Sequence, residues 1–137
     1  MKNKKQKLKI SPHSGLKIYL AAPLTTGDVA QNVCTAISVG NIIAQAGYNV
    51  FIPHLTHFWA IQHPNTAEYW LSYDFAWLKM CDVLVRLDGK SVGADLEVAF
   101  AKKNKIPVIF FSNKDNFQYL FNQLEQYELR LRNKKRR

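Results

Sequence analysis

Residues 83–101 have the sequence VLVRLDGKSVGADLEVAFA, and this stretch decides the fold. Its first five residues form an apolar run that is typical of a buried strand. Asp88, Gly89 and Lys90 follow as a tight turn. Ser91 is then placed as the N-cap of a helix. The stretch therefore predicts a strand, a short turn and a helix in immediate succession.

Glu97 is unusual for its position on the predicted helix. The residues three and four positions away share one helix face with it, and all of them are small or apolar: Gly93, Ala94, Phe100 and Ala101. Solvated glutamates normally occupy polar faces. A carboxylate on this face is either paired or has a chemical role.

Asp74 has the same kind of surroundings. If its segment is helical, its neighbours at three and four positions are large and apolar: Trp70, Leu71, Trp77 and Leu78. Burial raises a carboxyl pKa, and two such carboxylates suit acid/base or nucleophilic chemistry near neutral pH. A structural alternative remains open, in which one acid caps a backbone group and the other pairs with an arginine.

Strand and helix patterns alternate along the rest of the chain. Strands are predicted at 16–22, 49–52, 83–87 and 106–111. Helices are predicted from Asp28 to about Gln45, from Asn65 or Thr66 to Met80, after Ser91, and from Asp115 or Asn116 through Tyr127, with a loop from His54 to Pro64. This order predicts an α/β, flavodoxin-like, doubly wound parallel sheet of four to five strands.

Composition sets the broad class. A chain of 137 residues that is 47% hydrophobic fits one folded domain, which we expect over residues 13–129. No apolar run is long enough for a membrane span, and no apolar signal core follows the first lysines. Cys34 and Cys81 are too few for a disulfide scaffold. We therefore expect a cytoplasmic protein without a membrane partner.

The net charge of +9 is concentrated at the two ends, in a basic tail over residues 1–12 and another over 130–137. Such tails can bind nucleic acid or an anionic surface. No aromatic residues lie among the lysines to stack on bases. We therefore expect the tails to be peripheral, with nucleic-acid binding as an alternative.

Ligands in doubly wound sheets bind at the carboxyl ends of the strands. In this chain those ends fall at residues 21–27, 53–57, 88–91 and 111–113. Glu97 lies in the second turn of the helix that begins there. It is therefore expected to share a site with these loops.

Four segments together resemble the nucleoside 2-deoxyribosyltransferase-like superfamily, which includes hydrolases of nucleoside 5′-monophosphates. They are IYLAAP (18–23), DFAWL (74–78), CDVLV (81–85) and SVGADLE (91–97), and the resemblance spans about residues 16–111. It implies cleavage or transfer at an N-glycosidic bond of a nucleoside or nucleotide. It also implies a homodimer or higher homo-oligomer and no cofactor.

The resemblance also implies roles for individual residues. Glu97 matches the nucleophile that attacks the anomeric carbon, Asp74 the acid that assists the departing base, and Tyr19 a tyrosine that orients the nucleophile. This is the logic of retaining glycosidases. The substrate-binding positions that it implies include Gly93 and the loop residues Ala22, Pro23, Leu24 and Thr25.

Ser91 bears on the choice of substrate. The transferases carry an aspartate six residues before the nucleophile, whereas serine resembles the monophosphate hydrolases, in which it helps bind the 5′-phosphate. A hydroxyl and free N–H groups at a helix start can hold phosphate. Against this, the loop over residues 23–27 lacks an arginine, and Asp28 adds negative charge. We predict faster cleavage of a monophosphate than of its nucleoside.

Further candidates lie in the loops. His54 and His57, with Trp59, could close over a base, but a third ligand for a metal site is not evident, and no metal is predicted. Asp88 could bind sugar hydroxyls, although a turn with Gly89 explains it as well. A catalytically silent nucleotide-binding or signalling module remains an alternative to an enzyme.

Overall fold

The computed structural model describes residues 15–112 and 114–136. The strands are β1 (Lys17–Ala21), β2 (Asn49–Phe51), β3 (Val83–Leu87) and β4 (Val108–Phe111). The helices are α1 (Val29–Gln45), α2 (His57–Gln62), α3 (Ala67–Leu78), α4 (Val92–Lys103) and α5 (Phe117–Lys135), with a 3-10 turn at Pro53–Thr56 before α2. The predicted N-terminal tail lies outside the described residues.

All four strands are parallel, in the order β2-β1-β3-β4. Tyr19 of β1 is in register with Phe51 on one side and Leu84 on the other. The strand order reverses at β1, which has β2 on one side and β3 on the other. Doubly wound folds bind ligands at the carboxyl ends of the strands beside such a reversal, here β1 and β3. The predicted flavodoxin-like fold class is confirmed.

Alternation along the strands divides the core into two layers. Ile18 and Leu20 face one layer, which is completed by α1 and α5. Tyr19 and Leu84 face the other layer, which is completed by α3 and α4. Because Glu97 lies in α4 and Asp74 in α3, the second layer holds both acids that the sequence marked as unusual.

Side-chain caps fix where the helices begin. Asp28, Thr66, Ser91 and Asn116 each accept a hydrogen bond from a backbone N–H in the first turn of the following helix. The cap at Ser91 matters most for the site, because it sets the phase of α4. That phase turns Glu97 inward toward the sheet.

Two details differ from the sequence prediction. Residues 54–64 were expected to form a loop, but they contain the 3-10 turn and α2, whose Trp59 packs edge-on against Trp70 and Tyr73 of α3. Tertiary contact thus stabilises a helix too short to be predicted from its own sequence. The last helix was expected through Tyr127 but runs to Lys135, so residues 130–135 of the predicted basic tail are helical.

Within the part of the chain that the structure describes, no helix combines the length and apolar character needed to cross a membrane.

Candidate active site

Tyr19 and Glu97 form a direct contact at the centre of the second layer. The Tyr19 hydroxyl donates a short hydrogen bond to Oε2 of Glu97. Tyr19 is 0% exposed and Glu97 only 6%. The ring of Tyr19 stacks on Phe51, which stacks in turn on Trp77 of α3. The tyrosine is therefore held by Phe51 at its ring and by Glu97 at its hydroxyl, and it fixes the carboxylate in turn.

The surroundings of Glu97 favour its protonated form. Burial raises its pKa to about 8, and the charge of Asp74 adds to this, whereas the Tyr19 hydrogen bond and the charge of Arg86 lower the pKa. Burial, followed by the charges of Glu97 and Asp74, also raises the pKa of Tyr19. Tyr19 therefore stays protonated and remains a donor to Glu97.

Asp74 approaches the same site from α3. Burial raises its pKa to about 7. Its Oδ1 atom is buried and has no hydrogen-bond partner among the described residues. The Asp74 charge acts on both Glu97 and Tyr19, so the three side chains form one electrostatic group. A buried acid with an unsatisfied oxygen suits proton donation to a bound molecule.

The structure does not show the structural alternative, in which one acid caps a backbone group and the other pairs with an arginine. Glu97 has the Tyr19 hydroxyl, not an arginine, as its hydrogen-bond partner. Arg86 instead pairs with Asp95, with 3.0 Å between Nη2 and Oδ1. Asp74 caps no described helix, because the side-chain caps of α1, α3, α4 and α5 are Asp28, Thr66, Ser91 and Asn116.

Arg86 is a site residue that the sequence analysis missed. It lies in β3 with its side chain only 7% exposed, although Asp95, its ionic partner, is 72% exposed. Its guanidinium donates to the carbonyl oxygens of Leu87 and Gly89, the latter at 2.9 Å. It thus closes the turn that leads into α4. A lone arginine inside an apolar strand run was the signal that could have revealed it.

His54 lies beneath the loop after β1. It is 3% exposed, and its Nε2 donates to the Pro23 carbonyl oxygen at 2.9 Å. Burial lowers its pKa, although backbone carbonyls oppose that shift. Its Nδ1 atom is buried, and no residue that the structure describes forms a hydrogen bond with it. The ring therefore supports the loop from inside.

Asn32 of α1 holds the same loop from the other side, donating from Nδ2 to the carbonyl oxygens of Leu24 and Thr26. In a planar trans peptide, the N–H points opposite to the preceding carbonyl. The N–H groups of Leu24, Thr25 and Gly27 therefore point away from His54 and Asn32. Thr25 is exposed, as a residue that meets a ligand must be.

The turn after β3 supplies the remaining predicted positions. Ser91 is buried, and its Oγ accepts from the Ala94 N–H at 3.1 Å. A Cβ at Gly93 would meet only open space. Asp88 is exposed and accepts a hydrogen bond from Ser112 Oγ at 3.0 Å.

These loops converge around a small pocket. A pocket of about 110 Å³ lies between β1, β3 and α1, and its lining includes Ala22, Pro23 and Asp88. Gly89, at φ 109°, lies directly against the Pro23 ring, so the two loops touch. His57, in contrast, is at the start of α2 and stacks obliquely on Phe58.

The fold has a counterpart among known proteins. A solved structure of the 2-deoxyribosyltransferase from the psychrotolerant bacterium Bacillus psychrosaccharolyticus aligns with a TM-score of 0.55 at 20% sequence identity. The alignment covers 73% of this chain and 74% of that chain. The protein therefore has a 2-deoxyribosyltransferase-like α/β fold, as the resemblance predicted.

The family is given by a sequence model. Residues 16–111 match the family described as Domain of unknown function (DUF7768), and the chain belongs to that family. No curated protein matches the chain.

Proposed function

We propose that this protein cleaves or transfers the N-glycosidic bond of a nucleoside or nucleoside 5′-monophosphate, with Glu97 as the nucleophile. The observation that carries the proposal is the hydrogen bond from Tyr19 to the buried Glu97 carboxylate, within the field of a second buried acid, Asp74. The fold of the 2-deoxyribosyltransferase neighbour supports the same class of reaction.

In the proposed mechanism, ionised Glu97 attacks the anomeric carbon while the bond to the base breaks. Asp74 gives its proton to the departing base, and Glu97 then holds the sugar as a glycosyl ester. Asp74, now ionised, takes a proton from water or from a second base, which attacks the ester and restores Glu97. Tyr19 holds Oε2 so that the other carboxylate oxygen is free to attack.

The protonation states set the working pH. The productive form has Glu97 ionised and Asp74 protonated, yet the pKa of Glu97 is about 8 and that of Asp74 about 7. The single shared proton is therefore on Glu97 in most molecules, and the productive form is the minor one. We expect a bell-shaped pH profile of kcat/KM with its maximum between these two values.

The preferred substrate in this proposal carries a 5′-phosphate. The outward N–H groups of Leu24 and Thr25 and the first N–H groups of α4 are the donors that would hold it, and the open space at Gly93 leaves room beside them. Asp28 caps its own helix by accepting from the Gln31 N–H at 3.0 Å, which occupies one of its oxygens.

The catalytic proposal is tested by incubating the protein with nucleosides and their 5′-monophosphates and measuring released base. Glu97→Gln should abolish release, and Asp74→Asn should reduce it about 100-fold or more. Asp95→Asn, which removes an exposed carboxylate from the same helix, is the matched control and should retain activity. Ligand-dependent stabilisation without any turnover would instead support the silent nucleotide-binding module.

The phosphate preference has its own test. Ser91→Asp keeps a helix cap but adds a negative charge where the phosphate would lie. It should lower kcat/KM for the monophosphate about ten- to a hundredfold and leave the nucleoside less affected. If Ser91→Asp leaves the ratio of the kcat/KM values for monophosphate and nucleoside unchanged, Ser91 acts only as a helix cap.

Self-association is also part of the proposal. Exposed apolar side chains lie on or next to α2, α3 and α4, including Phe58 at 68% and Met80 at 65% exposure, together with Leu55, Ile61, Trp77 and Leu96. Extensive apolar surface marks interfaces. We expect a homodimer or higher oligomer through this surface. Sedimentation of the wild type and of Phe58→Glu should show a loss of mass in the variant, and a monomeric wild type would refute the idea.

A further inference from the structure

The chain's surplus positive charge belongs to its two terminal segments. Residues 1–14 and 130–137 hold 11 of the 19 lysines and arginines and none of the 10 acidic residues. The stretch between them contains more acidic than basic residues. The charge of +9 is therefore a property of the ends and not of the domain surface.

The fold brings the start of the described chain next to the basic helix end. Gly15 lies against Glu128 of α5, so close that an added Cβ would meet the carboxylate. Charges of Glu128, Glu125 and Arg132 reach Tyr48, directly before β2. Gly15 and Tyr48 precede β1 and β2, so this is the amino end of the sheet. The candidate active site lies near the opposite, carboxyl end.

The last part of α5 extends beyond the domain core. Tyr127 and Leu131 are its last side chains that pack on the core. From Arg132 to Arg136 every residue is exposed. Arg136 lies about 12 Å beyond Glu128 at the rise of an α-helix. Arg130 covers the Tyr127 ring, with 5.2 Å from its guanidinium carbon to the ring centroid.

We propose that this basic end of α5, formed by Arg130, Arg132, Lys134, Lys135 and Arg136, binds nucleic acid through its phosphates. The neighbouring stretch of α5 has its apolar stripe buried against the sheet, at Leu120 and Leu124, so this stripe is not available for insertion into a membrane. A polyanion of high charge density matches clustered lysines and arginines best.

The binding mode follows from the residue types. Tyr127, the aromatic residue next to the basic turns, is half-buried and covered by Arg130, so it is not available as a stacking platform. Contacts made by lysine and arginine to phosphates carry no base identity. Binding is therefore independent of sequence and strongly dependent on salt. Because the basic end is remote from Glu97, nucleic acid does not compete with a nucleotide substrate.

The experiment measures anisotropy of labelled nucleic acid with the full chain, using a mixed-sequence 20-base-pair DNA duplex and a 20-nucleotide RNA. About six phosphate contacts give a slope near −5 for log K against log salt concentration, or about a thousandfold loss of affinity from 50 to 200 mM salt. Competition by an unrelated sequence should be equally effective.

A matched pair of double variants locates the surface. Lys134→Gln with Lys135→Gln should weaken binding about tenfold and reduce the slope by about 2. Lys90→Gln with Lys114→Gln removes the same charge at the carboxyl end of the sheet and should leave binding unchanged. Base release by the Lys134/Lys135 variant should equal that of the wild type, so this test is separate from the catalytic proposal.

Three results would overturn the inference. They are the absence of nucleic-acid binding at 50 mM salt, equal binding by the Lys134/Lys135 variant and the wild type, and a loss of binding that follows Lys90 and Lys114 instead. Sedimentation with vesicles containing phosphatidylserine provides the competing outcome. Binding to those vesicles without binding to DNA or RNA would assign the basic end to a membrane surface.

Discussion

Tyr19→Phe tests the proposed protonation scheme most directly. The substitution removes only the hydroxyl that donates to Glu97, and it keeps the ring that stacks 5.6 Å from Phe51. A hydrogen bond to a charged group is worth about 1.5–3 kcal/mol, which corresponds to about 1–2 pKa units. Because this bond lowers the pKa of Glu97, its loss should raise that pKa further above about 8.

The expected kinetic result is distinctive. In the productive form the proton is on Asp74 and not on Glu97. A rise of 1–2 units in the Glu97 pKa makes that form rarer and should therefore reduce kcat/KM about 10- to 100-fold. The alkaline limb of the pH profile should move upward by the same 1–2 units. The acid limb should stay near the Asp74 pKa of about 7.

The assay is initial-rate base release at saturating and subsaturating substrate between pH 5 and 10. Tyr48→Phe, which removes a buried tyrosine hydroxyl at the amino end of the sheet, is the control and should leave both limbs in place. A Tyr19→Phe enzyme with kcat/KM within twofold of the wild type and an unmoved alkaline limb would refute the scheme.

Three further predictions concern the pH dependence of stability at Glu97 and at Asp74, and the effect of Arg86 on activity. Burial raises the pKa of Glu97 from 4.5 to about 8, so its contribution to stability is full below pH 4.5 and is lost as the pH rises through 8. Glu97→Gln should therefore match the wild-type Tm at pH 4 and exceed it by several degrees at pH 9, whereas a constant difference would contradict the assignment. Asp74→Asn should show the same trend between pH 4 and about 7, measured by the same thermal scans. Arg86→Met should raise the Glu97 pKa and reduce kcat/KM at least tenfold. Asp95→Asn removes only the exposed partner of Arg86 and should retain the wild-type kcat/KM. An equal loss of kcat/KM in both variants would show that activity depends on the ion pair and not on the buried guanidinium.

Local patterns predicted much of the fold and part of the site. The apolar run at 83–87, the Ser91 cap and the helical spacing around Glu97 are all local, and the structure keeps each of them. Helical spacing also predicted a shielded Asp74, and its Oδ1 is buried. What local spacing could not show is that β1 delivers Tyr19 to Glu97, since that contact joins residues 78 positions apart.

The missed features depend on tertiary contacts. The role of Arg86 could not be predicted from the apolar strand pattern around it. Its partners are carbonyl oxygens of the turn, which reach their positions only once β3 and α4 have formed. His54 was expected in an open loop. It is buried because the 3-10 turn brings it under the Pro23 carbonyl. Helix α2 forms through Trp59 packing on α3.

The groups that break ordinary packing rules lie near one end of the molecule. Within the described part of the chain, Asp74 Oδ1 and His54 Nδ1 are buried without partners, and Glu97 and Arg86 are ionisable groups inside an apolar domain. Such groups cost stability, so a fold that served only as a scaffold would be expected to replace them with apolar side chains. At the amino end of the sheet, in contrast, Glu128 is paired with Arg132. Such unfavourable burial around Tyr19 and Glu97 is what a preorganised reaction site requires. The desolvation that destabilises the protein also raises the pKa values of the two carboxyl groups into the range near neutral pH, where one can attack and the other can donate a proton.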